Sequence, residues 1–489
     1  MVSLLGVYSR RLRRINWLPK LGESERVLGF TLTSRGGVCG RPLVDIVFAA
    51  CGSTWPGIIS CEGDNEMRTI IALMLASVLI LLTACTSISS GIPDNLQVIQ
   101  PKDITSSYAL QIMDDIALPG GRSSEATSHV PDNAIISVEA RGSASYMILP
   151  DSSLWAWGGN YWGTLGDGTT ERSQYPIRLM NDVSQVSAGM RHTAAITTDE
   201  NLYTWGYNDR GQLGDGSTIP QLRPMRIMCD IAQVSAGSFY TMAVRTDGSL
   251  WAWGVNANGQ LGDGTTTERH SPVRIMDDVA YVSAGRWHTM AIRTDGSLWA
   301  WGANSHGQLG NDSTTYQLSP VKIMDSVAAV SAGEVHTMAI GTDGVLWAWG
   351  ENWHGQLGDG THTNRHIPIM IMEDAAQVSA RWHQTMVIKT DGSLWAWGKN
   401  YWGQLGDGSA TGWLEHSSVP ARIMYDAVQV SAGVHHTVAV RADGSLWVWG
   451  LNREGQFGVS TLEYSNVPVR IMDDMTGLSD SSAPVLSVE

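Results

Sequence analysis

Side chains able to hold or act on another molecule recur in this sequence at near-constant spacing. A histidine opens a short apolar segment at His192, His288, His336 and His436, while Tyr240, Gln384 and Ala144 fill the same place in three further copies. A ring of imidazoles could hold a metal ion, but a ring with three losses is a poor cage. A buried imidazole ordinarily finds a hydrogen-bond partner, so the position reads as a structural hydrogen bond. Gly-Asp-Gly-Thr segments such as Gly262–Thr265 suggest calcium, but they lack the alternating carboxylates of a calcium loop and suit tight turns. Gly392–Asn400 contains Gly-Lys, yet its glycine spacing is wrong for a phosphate loop and Asn400 stands where Ser or Thr is needed. There is no Cys-rich zinc pattern. Ser, His and Asp are so plentiful that their proximity in sequence singles out no triad. The chain reads as a non-enzyme, with no catalytic residue, cofactor or metal expected.

The second set of interest is aromatic. Tyr161, Trp162, Phe239, Trp287, Trp353, His354, Trp382, Tyr401, Trp402 and Trp413 stand at positions where the copies differ from one another. Arg191, Arg286, Arg381 and Arg453 occupy positions of the same kind. Aromatics and arginine are the usual anchors of interfaces. These residues form either a binding patch, richest in the fifth and sixth copies, or aromatics folded down onto neighbouring units.

What must position these side chains is a repeat. Leu-Trp-Ala-Trp-Gly or a close variant starts at Leu154, Leu202, Leu250, Leu298, Leu346, Leu394 and Leu446, spaced by 48 residues five times and then by 52. The four extra residues fall in the Gly408–Pro420 loop. A repeat of this length implies stacked units that bury one another. Each unit reads as four short strands, for example Val279–Ser283, His288–Thr294, Ser297–Gly302 and Pro320–Met324. Asp295-Gly296 is a strong hairpin signal between the second and third; the first two copies depart from it with Asp151-Ser152 and Asp199-Glu200. Alternation puts Trp299 and Trp301 on one face of the third strand and Leu298 and Ala300 on the other. Both faces are apolar, so both must be covered, which a closed ring of sheets achieves. The expected fold is all-β, a seven-bladed propeller of four-stranded antiparallel blades over residues 138–475. The pattern at Ala284–His288 and Asp295–Gly310 resembles the repeat of the regulator of chromosome condensation family, and that resemblance implies the same seven-bladed fold.

Composition agrees with a packed repeat. Charged residues make up 16% and the hydrophobic set 43%, which excludes wholesale disorder. Tryptophan, at 21 residues, far outnumbers phenylalanine at 4, as a copied tryptophan motif requires. The net charge of −15 argues against nucleic acid as a partner.

The segments outside the ring carry address information. An apolar run, Ile70–Ala84, follows Met67-Arg68 and ends in Leu82-Thr83-Ala84-Cys85. It is short for a bilayer span and has the order of a secretory signal. Its ending resembles the lipobox of bacterial lipoproteins. That resemblance implies that Cys85 is lipidated and becomes the N-terminus, anchoring the chain in the cell envelope outside the cytoplasm, in the periplasm or at the cell surface. Residues 67–85 are then signal peptide and lipobox. Residues 1–66, with Arg10, Arg11, Arg13 and Arg14 and three of the five cysteines, are either sequence upstream of the true start or a targeting, metal or redox extension. Residues 86–137 read as a flexible linker and 476–489 as a tail. Within the linker, residues 111–117 copy the fourth strand, which makes eight such segments for seven places; the extra copy either helps to close the ring or is a relic.

Alternate turns of an antiparallel blade emerge on opposite faces. The turn between strands one and two and the loop between three and four share one face, here the first face. The Asp-Gly turn and the turn joining strand four to the next blade share the second. Acids gather on the second face, as a cation-attracting ring or as ordinary turn chemistry. The aromatics fall on the first. The chain is expected to recognise a protein partner through first-face loops while held to a membrane by its lipid. Some secreted bacterial proteins with this repeat inhibit an enzyme through a propeller face. The family resemblance also implies an alternative, guanine-nucleotide exchange on a small GTPase, although the mature chain lacks a basic tail. Flat aromatics allow a third reading, glycan binding.

Overall fold

The computed structural model describes the backbone of residues 29–36, 42–50 and 53–58, residue 135, and residues 137–472 apart from 410, 411, 413–415, 460 and 461. Contacts divide the chain into Met1–Thr127 and Ser128–Glu489. In the first unit, Gly29–Gly36, Pro42–Ala50 and Ser53–Ile58 pair as a three-stranded antiparallel sheet in chain order. The signal segment, Cys85, residues 111–117, Trp413 and the tail lie outside the described residues.

The second unit holds seven four-stranded antiparallel sheets, each made of consecutive strands. Blades one to seven cover residues 137–180, 183–228, 231–276, 279–324, 327–372, 375–424 and 427–472. In blade four the strands are Val279–Ala284, His288–Arg293, Leu298–Gly302 and Gln317–Met324. Only the fourth differs much from expectation, starting three residues before Pro320. Ala300 pairs with Val321 and Gly302 with Gln317, so a bulge holds the proline and pairing resumes beyond it. Proline has no N–H to donate and is tolerated there because this strand is the blade's edge. The Asp-Gly hairpins use glycine in the left-handed region, as at Gly296 with φ 79°. Ser152 and Glu200 adopt the same conformation, at 61° and 63°, in the two copies that lack the glycine.

The core lies in the seams between blades. The second indole of each repeat, Trp157 through Trp449, is fully buried. Trp301 packs against Tyr240, Met242 and Leu261 of the preceding blade, and its Nε1 donates to the Gln260 carbonyl at 2.9 Å. The Thr289 hydroxyl donates to that same oxygen at 2.8 Å. The first indole is less covered: Trp299 is half-buried and donates to Ser297 Oγ at 2.9 Å. The Gly-Gln-Leu-Gly signature has a steric cause. Gly262 sits at φ 81°, and a Cβ there would lie 2.6 Å from the Trp301 indole nitrogen.

The ring closes with the same bonds. Trp157 of blade one donates to the Gln456 carbonyl of blade seven at 2.8 Å, and Ser145 Oγ meets His436 Nε2 at 2.9 Å. All seven fourth-strand places are taken by strands from within the repeats.

Candidate functional site

The repeated histidine is a seam residue. Its Nε2 reaches the threonine hydroxyl of the following blade: His192 to Thr241 at 2.9 Å, His288 to Thr337 at 3.0 Å and His336 to Thr385 at 3.2 Å. Burial pushes these imidazoles, and that of His436, down to about 3, so they are neutral. The copies without histidine keep the seam by other means. The Tyr240 hydroxyl donates to the His288 carbonyl at 2.6 Å, and Gln384 Nε2 to the Gly433 carbonyl at 2.9 Å. In blade one Ala144 offers nothing, and Tyr146, two residues on, brings its hydroxyl to 3.0 Å from Thr193 Oγ1.

This histidine dictates the residue three places before it. A Cβ on Gly333 would lie 2.4 Å from the His336 ring, and one on Gly237 would lie 2.2 Å from the Tyr240 ring. Glycine is therefore required wherever a ring follows. Blades one and six carry Ala144 and Gln384 instead, and there the glycine is replaced by Arg141 and Arg381. The two departures are linked, and together they deliver two arginines to the mouth of the central channel.

The channel is lined by the first strands. The Oγ of Ser187, Ser235, Ser283, Ser331, Ser379 and Ser431 each accepts the backbone N–H of an alanine in the next blade, at 2.9–3.0 Å. Glu139 fills the seventh place and accepts from Ala188. It also pairs with Arg381 at 3.4 Å. Burial raises the Glu139 carboxyl above its ordinary value, and the Arg381 charge offsets part of that. At the mouth, Arg286 pairs with Glu334. His383 Nδ1 lies 2.9 Å from Glu351. Burial alone would raise the Glu351 carboxyl, but hydrogen bonding and charge from His383 bring it below the usual range.

The expected aromatic residues all lie on the first face, apart from Trp413, which is outside the described residues. They form two tiers. The inner tier surrounds the channel mouth and is half-buried. Phe239 stacks on Trp287 with centroids 6.1 Å apart, and Arg286 lies over Trp287 at 5.4 Å and over Trp382 at 5.8 Å. Trp382 adopts φ 51°, a left-handed conformation that costs an L-residue about 1–2 kcal/mol. The outer tier sits on the loops between strands three and four. Tyr401 meets Trp402 at 4.5 Å and Arg453 lies over Trp402 at 4.9 Å. Burial and the neighbouring His383 push His354 down to about 4. Tyr161, Trp162 and Trp353 remain exposed, at 67%, 41% and 62%. The inner tier thus folds onto neighbouring blades, while Tyr161, Trp162 and Trp353 of the outer tier meet solvent. Exposed aromatics stand in blade one as well as in blade five. Arginines also lie between the aromatics. Arg191 lies 4.5 Å over Trp162 and 5.5 Å over Phe239.

On the second face the acids serve the turns. Asp182, Asp230, Asp278, Asp374 and Asp426 all sit at φ between 56° and 62°, a region aspartate tolerates better than most residues. Three of them pair with arginines of the adjacent hairpin, Arg245–Asp230, Arg293–Asp278 and Arg441–Asp426, at 2.8–2.9 Å. The Gly-Asp-Gly-Thr carboxylate is likewise used locally. Asp263 Oδ1 accepts from Asn256, the Thr265 backbone and the Thr265 hydroxyl at 2.8–3.0 Å, and Oδ2 accepts from Arg269 Nε at 2.8 Å.

Comparison with known proteins agrees with this architecture. The profile of the RCC1-like domain matches residues 113–325 and 231–485, overlapping because the repeats are interchangeable in register. The structure is similar to that of human WBSCR16, at 23% identity over 66% of this chain and 95% of that chain, with a TM-score of 0.59. It is similar to yeast RCC1 (Prp20) in its complex with Kap60, at 20% identity over 73% of this chain and 90% of that chain, TM-score 0.59. Prp20p from Saccharomyces cerevisiae gives 22% identity over 72% and 91%, TM-score 0.58. These likenesses establish the fold.

Proposed function

Because the chain belongs to the RCC1-like domain family, we propose that it is a non-enzymatic protein-recognition module that engages its partner through the aromatic loops of the first face. The observation that carries this reading is the exposure of Tyr161, Trp162 and Trp353 on a scaffold whose seam tryptophans are fully buried. An exposed indole gains by being covered, and a rigid ring holds it ready at little entropic cost. Display on the cell envelope through lipidated Cys85 is part of the same proposal.

The test is a Trp353→Ala/Trp402→Ala double variant compared with the parent chain on cell-surface extracts and on a glycan array. A partner held by the parent and lost by the variant supports the reading, and unchanged binding of every partner overturns it. Binding confined to the glycan array moves the assignment to sugars. Labelling with a radioactive fatty acid, abolished by Cys85→Ser, tests the anchor.

A second reading comes from the similar structures. Prp20p has been characterised for its binding properties to Gsp1p and histones, and the corresponding reading for this chain is nucleotide exchange on a small GTPase. The measurement that separates it is nucleotide release from a small GTPase with and without the chain. No acceleration ends that reading.

A further inference from the structure

A cleft of about 260 Å3 opens on the first face among blades one, two, six and seven. Its cause is the set of small residues in blade one. Gly142, Ser143 and Ala144 stand where blade four has Arg286, Trp287 and His288, and Gly159 stands where other blades carry Tyr207, Val255 or Leu451. The cleft reaches inward from Tyr161 and Trp162 to Arg141 and Trp382, with Arg191 on its wall.

We propose that this cleft receives a carboxylate side chain from an extended acidic segment of a protein partner, placed between the guanidiniums of Arg141 and Arg191 and packed against Trp162 and Trp382. The proposal rests on the protein-recognition reading of the first face and names the chemistry of what is recognised. Three observations carry it. Two arginines line the cleft and no Asp or Glu does, in a chain of net charge −15, so the site opposes the sign of the molecule around it. The acids around it are already engaged: Glu454 at the rim by the Tyr161 hydroxyl at 3.2 Å and by Arg172 at 3.6 Å, Glu334, whose backbone N–H donates to the Trp382 carbonyl, by Arg286, and Glu139 by Arg381. Trp162 and Trp382, also lining the cleft, supply aromatic surface against which the aliphatic part of an acidic side chain packs. Arg191 is held over Trp162 with its Cζ 4.5 Å from the ring centroid, and the planar fork of a guanidinium suits a carboxylate.

Phage-displayed random dodecapeptides are panned against the full chain, and a selected peptide is measured by fluorescence anisotropy. The peptides are expected to share an Asp or Glu at one position, and its replacement by the amide to weaken binding about tenfold or more, as removal of a charged partner does. Arg191→Gln is expected to lose a similar factor, Arg191→Lys less, and raised salt to weaken the parent complex. Unaltered thermal unfolding of Arg191→Gln establishes that it folds. An empty selection, peptides without a common acid, or binding indifferent to Arg191→Gln overturns the proposal. Selected peptides lost on Trp353→Ala but retained by Arg191→Gln sink this cleft and leave the first-face reading standing. Peptides indifferent to Trp162→Ala, Trp353→Ala and Arg191→Gln alike sink both.

Discussion

Between blades three and four, Trp301 and Thr289 share the Gln260 carbonyl, and every other seam repeats that arrangement. On the first face of the same two blades, Phe239, Trp287 and Arg286 meet in contacts that no other pair of blades reproduces among the described residues. The difference follows from what each region touches. A seam residue packs against another copy of its own repeat, so a change in one copy must be answered in the next. A loop tip has no copied counterpart and is free to differ. Arg141 and Arg381 mark the border between the two regimes. They reach the first face only because the seam ring behind them was lost.

The comparison breaks most readily at the seam. Trp301→Ala removes a fully buried indole and its hydrogen bond and is expected to cost about 3–5 kcal/mol in denaturant unfolding. Trp157→Ala, at the closing seam, is expected to cost about the same, because its partners are those of every other seam. A much milder Trp157 variant would show that the ring closes differently from the way it continues.

The buried histidines give the next effect. Their imidazoles lie at about 3 in the fold, against about 6.5 in an unfolded chain. The unfolded chain therefore binds more protons throughout that window, and stability falls as pH drops from about 6.5 towards 3. Each such histidine contributes up to about 1.4 kcal/mol per pH unit. His336→Gln, the residue blade six already uses as Gln384, is expected to flatten the slope between pH 6.5 and 4.5 by about one proton in urea titrations. The shifted carboxylates are common to both chains and cancel in the difference. An unchanged slope would mean that His336 titrates normally in the fold.

Third is the link between the glycine and the ring. Gly333→Ala drives a Cβ into the His336 imidazole, an overpacking that costs about 1–3 kcal/mol. In a His336→Ala background the same change is expected to cost less than about 1 kcal/mol. Equal costs in both backgrounds would remove the explanation given for Arg141 and Arg381.

The seam was legible in the sequence because it is periodic. The 48-residue spacing and the alternation of Trp299, Ala300 and Trp301 predict strands, blade number and burial together, and the structure differs mainly in the early start of strand four. The substitution of Tyr146 for a missing histidine was not legible, since it comes from two residues away in sequence and only the fold aligns the hydroxyl with Thr193. The first face was legible only as a set of variable positions. Sequence identifies Trp162, Trp353 and Trp382 as loop residues, but which of them is covered depends on neighbours in other blades. The replacement of glycine by Arg141 and Arg381 was a usable signal, since both coincide with loss of the histidine three residues on.

The smallest expected effect on stability belongs to the outer tier. Trp353 is 62% exposed and touches His306 edge-on with centroids 5.4 Å apart, so Trp353→Ala gives up little more than that one ring contact. The expected cost is about 1 kcal/mol or less, several-fold below that of Trp301→Ala for the same change of residue. Partner binding is expected to respond in the opposite order. An exposed tryptophan that anchors an interface commonly contributes 2 kcal/mol or more, about thirtyfold in affinity, whereas the seam indole reaches no partner. Measuring unfolding and binding on both variants therefore sets the two regions against each other in one experiment. A Trp353→Ala chain as destabilised as Trp301→Ala would place this indole in the scaffold and take the outer tier out of the recognition surface.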